Sequence, residues 1–172
     1  MRGLSIVTVL MMVLCLSFTA SAQMTTYYFS PIPAIGVGPN GLPTKKIDVN
    51  PYCCPSTAIN VTTQQNVSER DFQWVLIPLS LPQGVIRSVT VCYGIKGKEK
   101  AYISQTRITS MTTPNRANVL LDDGTDRHSM RPTCYNVEGE VPIKGTMTLA
   151  LKVVLNPGDQ IRIGSIAVDV EQ

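Results

Sequence analysis

His128 is the single histidine of the chain, and it follows three aspartates at positions 122, 123 and 126. An imidazole oriented by a carboxylate is the base of serine-type hydrolases, so one hypothesis is a small hydrolase that uses His128 and a nearby acid. The same carboxylates could bind calcium, which prefers clustered oxygen ligands. Their spacing is not that of an EF-hand loop, and Asp-Gly is a common turn pair, so turn chemistry is favoured for Asp122, Asp123 and Asp126.

Two further charged patterns have simpler explanations than catalysis. Glu138 and Glu140 share one face of a predicted strand with Cβ atoms about 7 Å apart, a separation that paired glycosidase carboxylates also use. Catalytic pairs normally face each other across a cleft, so we expect a solvated strand face. Lys96, Lys98 and Lys100 could bind a polyanion, but a hydrated loop that discourages edge pairing is favoured.

The remaining motifs point to no reaction. Neither H-E-x-x-H nor G-x-S-x-G occurs, and one histidine excludes a zinc site built on several histidines. No cofactor loop is marked. Trp74 lies in an apolar run and is predicted to be core. Asn60 and Asn66 begin glycosylation sequons. Tyrosines that could stack on sugar rings if exposed lie at Tyr52, Tyr102 and Tyr135.

Residues 1–22 have the three parts of a cleavable export signal. Arg2 is the basic start, Leu4 to Leu16 is almost unbroken apolar sequence, and Ala20-Ser21-Ala22 is a cleavage site. We expect a secreted or cell-surface protein that begins at Gln23. No later segment approaches membrane-spanning length, and the formal charge of +3 includes no basic block, so nucleic acid is not implied.

Four cysteines remain after the predicted cleavage, and an even number in an exported chain favours two disulfides. They are Cys53, Cys54, Cys92 and Cys134. A bond between adjacent residues is strained, so we predict that Cys53 and Cys54 bond one each to Cys92 and Cys134, in either combination. Cys92 and Cys134 then lie within about 16 Å of each other. The rival is a direct Cys92–Cys134 bridge.

The elements that must position these residues are strands. Val85 to Tyr93 and Thr146 to Leu155 alternate apolar and polar residues, and Trp74 to Leu79 is a buried run in which Pro78 favours an edge or a bulge. Ile161 to Val170 changes phase, which predicts a bulge at Gly164-Ser165. The chain therefore predicts an all-β fold: one antiparallel, jelly-roll-like sandwich of seven or eight strands.

The domain organisation is predicted to be simple. Residues 23–70 form a first strand and an irregular Pro/Gly-rich, Cys-containing segment packed on the domain, and residues 71–172 form the sandwich. About 150 residues after the signal is the size of one domain.

The strand and turn V-L-I-P-L-S-L-P-Q-G-V-I at 75–86, followed by S-V-T-V-C-Y at 88–93, resembles a "PL-LP-G" pattern of exported bacterial proteins of unknown function. The resemblance covers about residues 72–170 and implies a jelly-roll-like sandwich with no known activity. Cys92 and the Cys53-Cys54 segment depart from that pattern, and no functional residue is carried over.

The leading hypothesis is an exported, non-catalytic module with a structural role or with a surface, carbohydrate or protein ligand. Long connections at 36–70, 94–100 and 112–132 are where we expect its contact surface, since loops on rigid scaffolds carry recognition. The first alternative is the His128 hydrolase. The second is a self-associating subunit of an extracellular assembly, whose N-terminal segment pairs with a neighbour's sheet edge.

Overall fold

The computed structural model describes residues 22–53, 56–97, 100–113 and 116–172, so the predicted export signal lies outside the described residues except for Ala22. The described chain is almost entirely strand, with one short 3₁₀ helix at Glu69–Asp71. The strands in chain order are β1 Met24–Phe29, β2 Ile35–Val37, β3 Asp48–Pro51, β4 Ile59–Thr62, β5 Trp74–Leu79, β6 Val85–Lys96, β7 Tyr102–Thr113, β8 Arg116–Asp123, β9 Thr133–Pro142, β10 Thr146–Val154 and β11 Gln160–Glu171.

The strands form two antiparallel sheets that pack face to face. Sheet A has the order β3-β4-β11-β6-β9, with β1 also paired to β11, and sheet B has the order β2-β5-β10-β7-β8. This arrangement confirms the predicted all-β antiparallel sandwich. The described chain has eleven strands rather than the seven or eight predicted, because short strands such as β2, β3 and β4 have too few residues to show a clear alternation. Within the described ranges, no helix is both long enough and apolar enough to cross a membrane.

Alternation along the long strands supplies the core between the sheets. In β6, Val89 and Val91 are fully buried, and in β10 the predicted inward residues Leu149 and Leu151 are fully buried as well. Each strand contributes every second side chain to the space between the sheets, because successive residues of a strand point to opposite faces. The polar alternates form the two outer faces.

The predicted bulge in β11 is confirmed. Pairing between β11 and β6 shifts register between Ile163 and Ile166, and both of these isoleucines are fully buried. Without the extra residues, one half of the strand would turn its apolar side chains to solvent. Pro78 of β5 pairs with Thr148 of β10 on one side. On its other side no described strand is paired with it, because the contact with β2 covers only Trp74, Val75 and Leu76. This position suits proline, which has no amide N–H to donate.

The segment at 36–70 is more regular than its prolines and glycines predict. It contains β3, β4 and the end of β2, which add short strands to both sheets. Ile59 and Val61 of β4 are both buried and pair with Ile163 and Ile161 of β11. Two buried apolar residues on a short strand gave too weak a periodic signal, and the partner strand lies about 100 residues away in sequence.

Asp71 holds the 3₁₀ helix in place. Its carboxylate accepts hydrogen bonds from the backbone N–H and the hydroxyl of Ser68, at 2.8 and 2.7 Å, and it forms an ion pair with Lys46. The hydrogen bonds from Lys46 and Ser68 lower the pKa of Asp71 from 3.8 to about 2. This carboxylate therefore joins the β2–β3 connection to the helix.

One buried hydrogen bond crosses the core from sheet to sheet. The hydroxyls of Tyr135 on β9 and Thr106 on β7 lie 2.7 Å apart, and Thr106 is fully buried while Tyr135 is 9% exposed. Burial raises the pKa of Tyr135, so its hydroxyl stays protonated. The guanidinium of Arg127 lies 4.5 Å from the centre of the Tyr135 ring.

Candidate functional site

The disulfide of the structure joins Cys92 to Cys134. The two residues are directly paired on neighbouring strands β6 and β9, with Cα atoms 3.9 Å apart. The predicted bonds from Cys53 and Cys54 to Cys92 and Cys134 are therefore wrong, and the rival bridge is correct. The expected proximity of Cys92 and Cys134 is confirmed. Cys53 is exposed, and Cys54 lies outside the described residues.

The disulfide lies on the outer face of sheet A, because Val91, Tyr93 and Tyr135, the neighbours of the two cysteines along their strands, point into the core. Around it is a depression of about 420 Å³. We call this depression the outer groove. It is lined by Cys92, Tyr93, Gly94, Ile95, Lys96, Met130, Pro132, Thr133, Cys134, Arg162 and Gly164.

Two glycines keep the floor of the outer groove low. A Cβ atom at Gly94 would lie 3.5 Å from the Cα of Pro132, and one at Gly164 would lie 3.5 Å from the carbonyl oxygen of Cys92. Both distances are ordinary contact, so the backbone could accept a side chain at either position. Any side chain there would project into the space that the groove now leaves open.

One wall of the groove is the segment before β9. The N–H of Ile95 donates to the carbonyl of Ser129 at 2.9 Å, and the Ser129 hydroxyl donates to the carbonyl of Arg131 at 2.7 Å. These bonds hold the segment beside β6. Met130 is 48% exposed and, with Pro132, gives this wall an apolar surface.

Arg162 of β11 forms the opposite wall. It pairs with Gly94 of β6 on one side and with Asn60 of β4 on the other. Its guanidinium lies 3.5 Å from the centre of the Tyr52 ring, a stacked contact that covers one face of the cation. Tyr52 is thereby held at the edge of the groove, half-buried beneath Arg162.

Polar groups at this wall lack partners in the described part of the chain. The buried Nε of Arg162 and the buried Oδ1 of Asn60 have no hydrogen-bond partner there. No carboxylate of the described residues forms an ion pair with Arg162. Both atoms are buried, so the polar contact that this wall offers to a ligand is the remainder of the Arg162 guanidinium, which is half-buried.

His128, the candidate base, does not line the outer groove. Its ring is 4.5 Å from that of Tyr102, and its Nε2 lies 3.8 Å from a carboxylate oxygen of Asp126. Among the hydrogen bonds of the described residues, none joins His128 to a serine or threonine hydroxyl. It lines a neighbouring cavity of about 340 Å³ with Ile95, Ala101 and Met130, and Ile95 and Met130 also line the outer groove.

The aspartates of the same loop are directed to arginines. Asp122 forms an ion pair with Arg107 at 2.8 Å, and Asp123 forms one with Arg127 at 2.7 Å. Burial opposes the charge of Asp123, but hydrogen bonds from Thr125 and Arg127 outweigh it and lower the pKa of its carboxyl. Asp122 and Asp123 end strand β8 rather than forming a turn. Asp122 therefore joins β8 to Arg107 of β7, and Asp123 fixes the connection that follows β8.

Glu138 and Glu140 are exposed on the outer face of sheet A, as the alternation of β9 predicts. Glu140 lies 3.1 Å from Arg87, which also forms an ion pair with Glu171. Lys96 lines the outer groove, Lys100 lines a different, polar cavity together with Asn66, and Lys98 is outside the described residues.

The aromatic residues separate by environment. Tyr135 is core, Tyr102 is half-buried against His128, and Tyr52 stacks on Arg162 of the groove wall without lining the groove itself. Trp74 is buried, as predicted, but it lies in a small cluster with Val37 and Ala150, and Arg107 lies 4.9 Å from the centre of its ring.

Sequence reasoning missed most of the groove. Arg162, Met130 and Pro132 carried no motif, because a groove on a sheet face is assembled from strands distant in sequence. The available signal was the alternation of β6, which placed Cys92 on the face opposite Val91. Two of the predicted contact segments, 94–100 and 112–132, do contribute residues to the groove walls.

No protein-family model and no curated protein matches the sequence. Solved structures do match. A family 35 carbohydrate-binding module from Clostridium thermocellum aligns with a TM-score of 0.53 and 9% identity, over 84% of this chain and 97% of that chain. The likeness shows a shared β-sandwich fold.

Two further matches are weaker. A CBM4 structure aligns with a TM-score of 0.49 and 10% identity, over 73% of this chain and 78% of that one. TmCBM61 in complex with β-1,4-galactotriose aligns with a TM-score of 0.48 and 12% identity, over 79% of this chain and 87% of that one.

Proposed function

We propose that this protein is an exported, non-catalytic β-sandwich module that binds carbohydrate in the outer groove. The observation that carries the proposal is the groove itself: an apolar floor of disulfide and glycine backbone, beside an arginine that stacks on a tyrosine and has no ion-pair partner among the described residues. Ligand sites typically combine an apolar lining with a few converging polar groups. A sugar ring has the matching chemistry, with apolar C–H faces and polar hydroxyl edges.

Two other findings support this function. The fold is shared with a family 35 carbohydrate-binding module, although a shared fold alone does not determine function. The Cys92–Cys134 disulfide suits an oxidising compartment, which agrees with an export signal that is cleaved before Gln23. N-terminal sequencing of protein secreted by the native host tests the cleavage site.

The binding test fills the groove. Gly94→Val adds a side chain at the floor, where a Cβ atom itself meets only ordinary contacts, and valine suits a strand. We expect the parent protein to be retarded in gels that contain one or more of a panel of soluble polysaccharides. We expect Gly94→Val to abolish that retardation while its thermal unfolding midpoint stays close to that of the parent.

The matched control is Thr90→Val, which adds an apolar group to the same outer face of β6 but outside the groove. It should bind as the parent does. If the parent is retarded by no polysaccharide of the panel, or if Gly94→Val is retarded as strongly as the parent, the proposed site is wrong.

The absence of turnover is tested on the polysaccharides that bind. We expect no release of reducing sugar over a day of incubation. Release that His128→Ala eliminates would identify the protein as a hydrolase. β1, the strand that the assembly hypothesis pairs with a neighbouring copy, pairs with β11 of its own chain.

A further inference from the structure

The outer face of sheet A is electrically polarised along its strands. At one end, four carboxylates accompany one arginine: Asp169, Glu171, Glu138, Glu140 and Arg87. At the other end, about 20 Å along β11, the outer groove is lined by Arg162 and Lys96 and by no acidic residue. The exposed Asp48 of β3 also lies at this end, two strands from β11 and outside the groove.

Three of the four carboxylates at the acidic end have a hydrogen-bond or ion-pair partner. Asp169 accepts hydrogen bonds from the hydroxyls of Ser88, at 2.5 Å, and Thr26, at 2.6 Å, which lower the pKa of its carboxyl. Arg87 lies between Glu140 and Glu171. This end therefore has little capacity left for an anionic ligand, and its negative charge repels one.

At the basic end, the cations that line the outer groove have no carboxylate partner in the described part of the chain. Within the described residues, neither Arg162 nor Lys96 has an ion-pair partner. Asp159, near the end of β6, is only 4% exposed and accepts a hydrogen bond from the N–H of Asn156. A half-buried guanidinium without a carboxylate leaves its strongest interaction unmade.

The stacking of Tyr52 on Arg162 limits the geometry with which an anionic ligand can bind Arg162. The ring covers one face of the Arg162 guanidinium, and the N–H donors lie in the plane of the cation. Its Nε is buried, so the two terminal nitrogens are the donors left for a ligand. A planar carboxylate accepts two such donors at once, whereas a lysine ammonium has no such directional fork. An apolar floor beside these donors suits the ring that carries the carboxylate.

We propose that the ligand of the outer groove is an acidic saccharide, a hexuronate whose carboxylate pairs with Arg162 and is attracted by Lys96. This inference rests on the proposed carbohydrate-binding function and specifies its ligand class. The acidic end of the same face orients the chain of a uronate polymer away from β11's C-terminal half.

The experiment compares each uronate with its own neutral form. Oligomers of galacturonate, glucuronate and mannuronate are titrated calorimetrically into the parent protein, each as the free acid and as the methyl ester, which keeps the ring and removes the charge. We expect at least one free acid to bind about tenfold or more tightly than its ester, and to weaken as salt is raised.

Variants locate the effect. Arg162→Gln should reduce the affinity for the acid about tenfold and leave the affinity for the ester nearly unchanged, and Lys96→Gln should do the same to a smaller extent. Lys96→Gln also covers the case in which Arg162→Gln fails to fold. Lys144→Gln, an equal loss of charge at an exposed turn outside the groove, should bind as the parent.

The outcomes separate the two proposals. If acid and ester bind equally, or if only neutral saccharides bind, the preference for uronates is wrong while carbohydrate binding stands. If a sulfated oligosaccharide binds as tightly as the best acid, the assignment to carboxylate is wrong. If no saccharide of either panel binds, the proposed function fails together with this inference.

Discussion

Replacing Tyr135 with phenylalanine tests the hydrogen bond that joins the two sheets through the core. The substitution keeps the ring, its contact with Arg127 and its packing against Tyr93, and removes only the hydroxyl. Thr106 is fully buried, so its own hydroxyl is then left without a partner. An unsatisfied buried hydroxyl costs about 1–3 kcal/mol, which is the loss expected in the free energy of unfolding.

The second half of the test removes the other hydroxyl, first alone and then together with that of Tyr135. Thr106→Val alone leaves the Tyr135 hydroxyl without its partner and should cost a similar amount. In the double variant both polar groups are gone, and the shape of the core is nearly kept. Its cost should be smaller than the sum of the single costs by about 1 kcal/mol or more.

The assay is urea unfolding under non-reducing conditions, followed by far-UV circular dichroism, with slopes that stay equal among the variants. Tyr28→Phe, at a site 75% exposed, and Thr109→Val, on the outer face of β7, are the matched controls and should change stability little. Costs of Tyr135→Phe and Thr106→Val that add within about 0.3 kcal/mol would refute the reasoning.

Two further predictions follow from contacts of the structure. Non-reduced peptide mapping should link the peptides of Cys92 and Cys134, and a link from either peptide to Cys53 would contradict this pairing. Removing both cysteines should lower the free energy of unfolding by about 4 kcal/mol, because the bond closes a loop with a sequence separation of 42. The pKa of Asp71 is lowered from 3.8 to about 2, so its ionised form stabilises the fold above about pH 4. This contribution to the free energy of unfolding is about 1 kcal/mol, since the ion pair is partly exposed, and it is lost as the pH falls toward 2. In urea titrations, Asp71→Asn should be less stable than the parent at pH 7 and should lose less stability between pH 4 and pH 2. The control Asp48→Asn, at an exposed site, should follow the parent. Parallel stability curves for Asp71→Asn and the parent would show that the Asp71 carboxylate makes no such contribution.

Local patterns predicted the strands that have long alternating runs. Met147, Leu149 and Leu151 were expected to face the core and are buried. The change of phase after Ile163 predicted the bulge, because burying both halves of β11 allows no other register. In these strands the periodicity of one segment carries enough information to determine its buried face.

Pairings between distant segments could not be predicted in the same way. Cys92 and Cys134 are bonded because β6 and β9 are neighbours in one register, and neither strand's sequence specifies its neighbour. The predicted disulfides rested on the strain of a bond between the adjacent residues Cys53 and Cys54. That strain argues against a Cys53–Cys54 bond but does not say which residue bonds to Cys92 or Cys134. The outer groove was missed for the same reason, since its walls come from β6, β11 and the segment before β9.

Lys152 shows how an outward position can still be buried. The alternation of β10 predicts that it faces out, and it does, but it is only 9% exposed and its ammonium lies 4.4 Å from the centre of the Phe72 ring. A long side chain can lie along an aromatic neighbour and keep its charge near water. Outward direction and exposure are therefore separate properties on this sheet.

The order of the strands has a consequence for how the chain acquires its structure. β11, the last strand of the described chain, lies in the interior of sheet A and pairs with β1, β4 and β6, while β10 lies in the middle of sheet B. As the chain is synthesised from its N-terminus, β1 and β4 have no strand of sheet A to pair with across their inner edges until β11 is complete. Folding must then close loops that span most of the sequence, which makes it slow.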